Sequence, residues 1–139
     1  PGVGNLLNKI KKKNLKNLKI IQHDAVEVLE EMTLDESLDA IHIFFPDPWH
    51  KKRHNKRRLI QQTFLELISK KLKKEGYIHI ATDWEDYANW IIEIFKNNSM
   101  YKAKNIDFSK KPSYRPKTKY ENRGLNLGHQ VWDMVFIKS

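Results

Sequence analysis

The sequence predicts an α/β fold built on a mostly parallel sheet. Short apolar, strand-like runs alternate with stretches of helical periodicity along the 139 residues. Helix-opening patterns precede two of those helical stretches. Three acids, Asp24, Asp47 and Asp83, stand at or just beyond the ends of strand-like runs, where open α/β sheets bind ligands. A chain of this length suggests one domain.

Leu6, Leu7 and Ile10 share one helical face and Lys11–Lys13 decorate its polar side, so the chain opens in a short helix. Asn14–Asn17 read as a turn. Leu18–His23, with Ile20 and Ile21 adjacent, is expected as a strand, and Val26, Val28 and Leu29 as a short helix after Asp24. Beyond the Asp35–Ser37 loop comes the clearest strand, Leu38–Phe45, apolar on both faces apart from Asp39 and His42. Such a run suits a central strand covered by helices on both sides. Pro46 and Pro48 end it, because neither can donate to a ladder.

Thr63-Phe64-Leu65-Glu66 matches a capping box. Phe64, Leu67, Ile68 and Leu72 then make a helical apolar face that Gly76 closes. Tyr77–Ala81 is the next strand. Thr82-Asp83-Trp84-Glu85 repeats the cap pattern before a helix with Tyr87, Ala88, Ile91, Ile92 and Phe95 inward and Asn97–Ser99 at its end. Ala103–Phe108 is expected as a strand, Lys110–Gly128 as a Pro, Gly and Lys-rich loop, and Val131–Ile137 as the last strand.

Formal net charge is +9, and 26 residues are Lys or Arg. Six of those cations stand between Lys51 and Arg58. A localised basic patch of this kind attracts phosphate backbones by steering and counterion release. Cysteine is absent, which excludes a disulfide framework and thiolate chemistry and fits a reducing compartment. No apolar run approaches the roughly 20 residues that cross a bilayer, and no signal peptide is visible. The chain opens Pro1-Gly2-Val3-Gly4 without an initiator Met, as a fragment would.

Asp47 is the sharpest candidate for chemistry. It sits between two prolines that restrict the backbone on either side, next to Trp49 and the cationic run. Asp24 and Asp83 each have two readings. Asp24 can cap a helix, with Glu27 at capping-box spacing, or serve a site. Asp83 can favour a helix dipole behind Thr82 or serve a site. Trp49 can stack on a base or pack. His50 and His54 lack a second ligand pair at metal spacing, so no metal is expected. His42 and His79 fall within strands and read as structural. Gly2-Val3-Gly4 is too short for a glycine-rich phosphate loop.

The block Phe45-Pro46-Asp47-Pro48-Trp49 with His50–Arg58 resembles the bacterial tRNA (guanine-N7-)-methyltransferase family. So do Pro1–Gly4, His23–Leu29, Ala81–Glu85, Arg115–Gly124, Gly128-His129 and Val131–Asp133, in order along nearly the whole chain. The resemblance implies a Rossmann-like class I S-adenosylmethionine-dependent methyltransferase sheet with flanking helices, N-terminally incomplete. The family's upstream glycine-rich cofactor loop would precede Pro1. It implies S-adenosylmethionine as cofactor, tRNA as partner with no metal or membrane, cytoplasmic location, and methyl transfer to N7 of a guanine in the tRNA variable loop. Asp47 would be the catalytic acid and border the cofactor, and Asp24 would contact the cofactor. Lys51, Asp83, Thr118, Lys119, Tyr120 and Glu121 would contact the target nucleotide. Arg53, His54, Asn55, Lys56, Arg57 and Arg58 would track the RNA backbone. Two other readings stay open: a non-catalytic RNA-binding piece of such an enzyme, and an amino-group methyltransferase, whose Asp/Asn-Pro-Pro-aromatic signature Pro-Asp-Pro-Trp faintly matches.

Overall fold

A computed structural model of the chain describes residues 2–104, 108–126, 128 and 130–139. The chain divides into two units, one ending at Met32 and one spanning Thr33–Ser139. No described helix is long and apolar enough to cross a membrane.

The N-terminal unit carries helices α1 (Gly2–Lys12) and α2 (Ala25–Met32). The lysine-rich end of α1 places cations where the helix dipole favours them. Asp24 caps α2: its Oδ1 accepts from the Val26 amide at 2.8 Å, and its carbonyl accepts from Val28 at 3.0 Å. Glu27 turns instead to His23, 2.5 Å away. The strand expected at Leu18–His23 does not form. A strand needs a ladder partner for its backbone, the described strands pair only with one another, and Leu18 and Ile21 stay exposed.

The second unit runs β1 (Leu38–Phe44), a 3-10 turn (Lys52–Arg57), α3 (Gln62–Lys71), β2 (Leu72–Thr82), α4 (Glu85–Lys96), β3 (Tyr101–Ala103), α5 (Lys119–Asn126) and β4 (Trp132–Lys138). The sheet order is β1-β2-β4-β3. β1 and β2 are parallel, with α3 as their crossover, whereas β4 runs antiparallel to both β2 and β3. The sheet is therefore less parallel than the sequence implies, and β1 is an edge of it among the described residues. Residues 105–107, half of the strand expected at Ala103–Phe108, lie outside the described residues. The expected loop Lys110–Gly128 contains α5.

Register separates the two faces. Ile41, Ile78 and Phe136 align across the sheet, as do Ile43, Ile80 and Met134. Against this face α3 and α4 bury Leu65, Ile68, Ile91 and Phe95. Phe95 stacks on Phe136 with ring centres 3.8 Å apart, and the Tyr101 hydroxyl donates to the Leu65 carbonyl at 2.7 Å. The opposite face presents His42, Phe44, Tyr77, His79 and Asp133, and Tyr114 stacks on His42.

Two start signals and one stop signal act differently from their sequence reading. Helix α3 begins one residue before Thr63 with Gln61 as its uncapped N-cap, so the capping box is not used. Gln61 instead donates its amide to the carbonyls of Lys56 (2.5 Å) and Arg58 (2.7 Å), tying the basic turn to the helix. At α4 the Thr82 hydroxyl accepts from the Trp84 amide at 3.2 Å. Gly76 lies inside β2 rather than at a helix end. A Cβ there would meet the Lys73 carbonyl at 2.8 Å and the Asp39 carbonyl at 3.0 Å, so glycine is needed for close backbone approach.

Candidate active site

Parallel pairing brings the ends of β1 and β2 to the same rim, as His42↔His79 and Phe44↔Ala81 register shows. Antiparallel β4 contributes its beginning there, with Trp132 opposite Thr82. Asp47 and Asp83 are thus gathered at one rim from distant points in sequence. Asp24 follows no strand and belongs to the N-terminal unit.

The chain leaves β1 through a tight corner. Phe45 (φ 54°) and Trp49 (φ 44°) both adopt left-handed backbone, on either side of Pro46-Asp47-Pro48. Bulky residues rarely do so, and such strain collects at functional sites. Three contacts hold the corner. The Phe45 amide donates to the Ala81 carbonyl at 2.7 Å, Asp47 Oδ1 accepts from the Trp49 amide at 3.0 Å, and Arg58 Nε donates to the Pro48 carbonyl at 2.7 Å. Asp47 itself remains exposed.

The basic run folds as a 3-10 turn that separates its cations. Lys51, Lys52, Arg53, Lys56 and Arg57 are exposed. Arg57 lies over the Trp49 ring at 5.2 Å, and His54 meets the same ring edge-on. With its amide nitrogen facing the turn, Asn55 donates to the Trp49 carbonyl at 2.9 Å and the Lys51 carbonyl at 3.2 Å. Arg58 departs from the expectation of backbone tracking. It is 2% exposed, pairs with Asp86 at 2.7 Å, and lies over Tyr87 and Trp90 at 4.9 and 5.1 Å. Its guanidinium braces the corner from inside, because a charge-assisted bond and two aromatic faces compensate its burial.

A cleft of about 960 Å³ opens at the rim, within the range of about 300–1,000 Å³ usual for ligand sites. Pro46 and Pro48 line it but Asp47 does not; its acids are Asp83, Glu85 and Asp86. His50 and Trp84 rings meet 4.0 Å apart in its wall.

The segment expected to touch the target nucleotide is anchored from below. The Thr118 hydroxyl accepts from the Glu121 amide at 3.0 Å, capping α5. Glu121 is 4% exposed and its carboxylate pairs with both terminal nitrogens of Arg115. Arg115 also grips Asp133, through Nε at 2.6 Å and Nη2 at 2.9 Å. His79 Nε2 completes the set 2.7 Å from Asp133 Oδ1, with the Tyr114 hydroxyl 2.8 Å from Nδ1. Burial by itself raises the Asp133 carboxyl, but hydrogen bonds from His79 and Arg115 and the guanidinium charge outweigh it and hold the carboxyl below its usual range. Burial, then Tyr77 and Asp133, push the Tyr114 phenol up to about 12. Lys119 is exposed, and the Tyr120 side chain lies outside what the structure describes. Sequence reasoning missed Arg115 as a hub, because in a Lys-rich loop one more cation carries no distinguishing pattern. Among the described residues no group of three or more His, Asp or Glu could hold a metal ion.

A family model described as "Putative methyltransferase" matches residues 1–134. The chain belongs to that methyltransferase family. A tRNA (guanine-N(7)-)-methyltransferase of Methylobacillus flagellatus is 56% identical over 98% of this chain and 57% of its own length. One from Chromobacterium violaceum is 57% identical over 98% of this chain and 60% of its own length. The chain thus spans under two thirds of these relatives. Among solved structures, a precorrin-6y C5,15-methyltransferase from Geobacter metallireducens superposes with a TM-score of 0.57 at 16% identity, covering 98% of this chain and 62% of that one. That likeness concerns the fold alone, a methyltransferase sheet with its helices. In this methyltransferase-family chain the strained corner and the cleft both sit at the rim where such sheets bind ligands.

Proposed function

We propose that this chain belongs to an enzyme that transfers a methyl group from S-adenosylmethionine to N7 of a guanine in the tRNA variable loop, in the cytoplasm. Identity of 56–57% to relatives of that name across nearly all of the chain carries the reading. The rim supports it: an exposed carboxylate on a strained strand end, next to a turn of exposed cations.

Asp47, an exposed carboxylate just beyond the end of β1, suits a sulfonium cation and would border the cofactor. S-adenosylmethionine, when bound, supplies an electrophilic methyl group. Guanine N7 bears an in-plane lone pair and no proton, so no side chain has to remove one. The ring would gain positive charge as the N7–methyl bond forms and the methyl–sulfur bond breaks, its electron pair leaving with sulfur as a neutral thioether. Asp47 stabilises that charge, and with Asp83 it orients the base. Lys51 contacts the target nucleotide. Arg53, Lys56 and Arg57 hold phosphates, which positions the tRNA without reading its sequence.

Deleting the gene that encodes this chain should remove 7-methylguanosine from bulk tRNA, read by nucleoside mass spectrometry. Restoring it with an Asp47→Ala variant should leave the modification absent while tRNA binding persists. Unchanged 7-methylguanosine after deletion overturns the reading, and equal loss of transfer and binding in the variant removes Asp47 from the chemistry. A methylated exocyclic amine would point to the amino-group class instead.

A further inference from the structure

The cleft at the rim has a chemistry of its own. Trp84, 40% exposed, and His50 give it an aromatic wall, and Trp132 adds a third ring from the start of β4. Asn89 and Gln130 bring carboxamides, and Glu85 a carboxylate. Among the described residues no Lys or Arg lines it, although Lys51 follows His50 directly and opens the basic turn. Apart from Asp86, which pairs with Arg58, the cleft's acids and the exposed cations of the turn are therefore segregated over a short distance. Phosphates are drawn to the turn and disfavoured in the cleft, whereas a flat base that acquires positive charge is favoured there by carboxylates and aromatic faces.

We infer that this cleft receives the extruded purine base, stacked on Trp84 beside His50 and read along its edge by Glu85, Asn89 and Gln130. The inference rests on the guanine-N7 reading and adds to it the side chains that select the base. Enzymes acting on a base take it out of its stack and bind it between rings, and stacking of this kind is indifferent to sequence. Selectivity comes from the edge. The Glu85 carboxylate accepts from the guanine N1–H and exocyclic amine, and a carboxamide of Asn89 or Gln130 donates to O6. Adenine offers the opposite pattern at both positions. The same acids favour the cationic methylated base over the neutral one.

Titrating the protein with 7-methylguanosine, guanosine and adenosine, read by tryptophan fluorescence, tests this without cofactor or methyl transfer. 7-Methylguanosine should bind tightest and adenosine at least about tenfold more weakly. Trp84→Ala should weaken 7-methylguanosine by about tenfold, Trp84→Phe should restore most of the loss, and Glu85→Gln should narrow the preference for the methylated base. Asp39→Asn, at the other end of β1, should bind as wild type does. Equal binding of adenosine and 7-methylguanosine, or unchanged affinity in both Trp84 variants, overturns the subsite. Loss of 7-methylguanosine from tRNA on gene deletion would stand regardless, so failure here leaves the reaction intact and removes only the pocket.

Discussion

Arg57 and Arg58 are adjacent in sequence and do different work. Arg57 lies exposed over Trp49, free to meet a phosphate, while Arg58 is buried on the Pro48 carbonyl, Asp86 and two rings. Removing Arg58 orphans a carbonyl and empties the space between Tyr87 and Trp90. Arg58→Ala should cost about 2–3 kcal/mol, from a lost charge-assisted bond and lost cation–π contact, read as a lower urea midpoint. Arg58→Lys should recover only part, since an ammonium cannot reproduce the fork. An unchanged midpoint in Arg58→Ala would remove the bracing role. Nothing in Lys-Arg-Arg separates these fates, because burial depends on where Asp86 and Tyr87 arrive, and α4 supplies both.

At the scale of the element, the 3-10 turn is a compact cationic surface held by backbone and amide bonds. Under the proposed function its exposed members act on phosphates together, so their effect is read in the salt dependence of binding. Replacing Arg53 and Arg57 with Gln should make the slope of log K against log salt shallower by about 1.4–1.8 for tRNA, with little change in which tRNA is preferred. A slope equal to wild type would take both side chains out of the interface. The turn's charge and the Pro-Asp-Pro stop are readable from sequence, since composition and proline geometry are local. The helix starts are less readable. Thr63 and Glu66 have capping-box spacing, yet α3 begins at Gln62 because Gln61 is drawn to the turn's carbonyls. Gly76 likewise serves contact with Asp39, 37 residues upstream, rather than a helix end. Asp24, by contrast, caps α2 as one of its two readings anticipated.

Across the second unit, Arg115 joins Asp133 on β4, Glu121 on α5 and, through Asp133, His79 on β2. Removing one buried partner leaves the others uncompensated, so the hub couples the loop's fold to the sheet. The Asp133 carboxyl is held below the ordinary value near 3.9. With a folded value below the unfolded one, its contribution is complete above about pH 4 and is lost as pH falls through the folded value. The urea midpoint should accordingly drop on acidification below pH 4. Asp133→Asn should be less stable at neutral pH and show a flatter acid limb. If that variant does not fold, a carboxyl titration of the wild-type protein by NMR should still place Asp133 below 3.9, and a value at or above it would contradict the network.

The sequence alone determined the alternation of strands and helices, the rigid acidic corner after Leu38–Phe45, the basic block behind it and the family it resembles, because each is written in residues adjacent along the chain. Tertiary structure alone decided that β4 runs antiparallel, that Leu18–His23 forms no strand, that Arg58 and Glu121 turn inward, and that Trp84, Asn89 and Gln130 share a cleft. Those outcomes depend on pairing and burial between segments far apart in sequence, and local periodicity carries no record of which distant segment fills the space beside it.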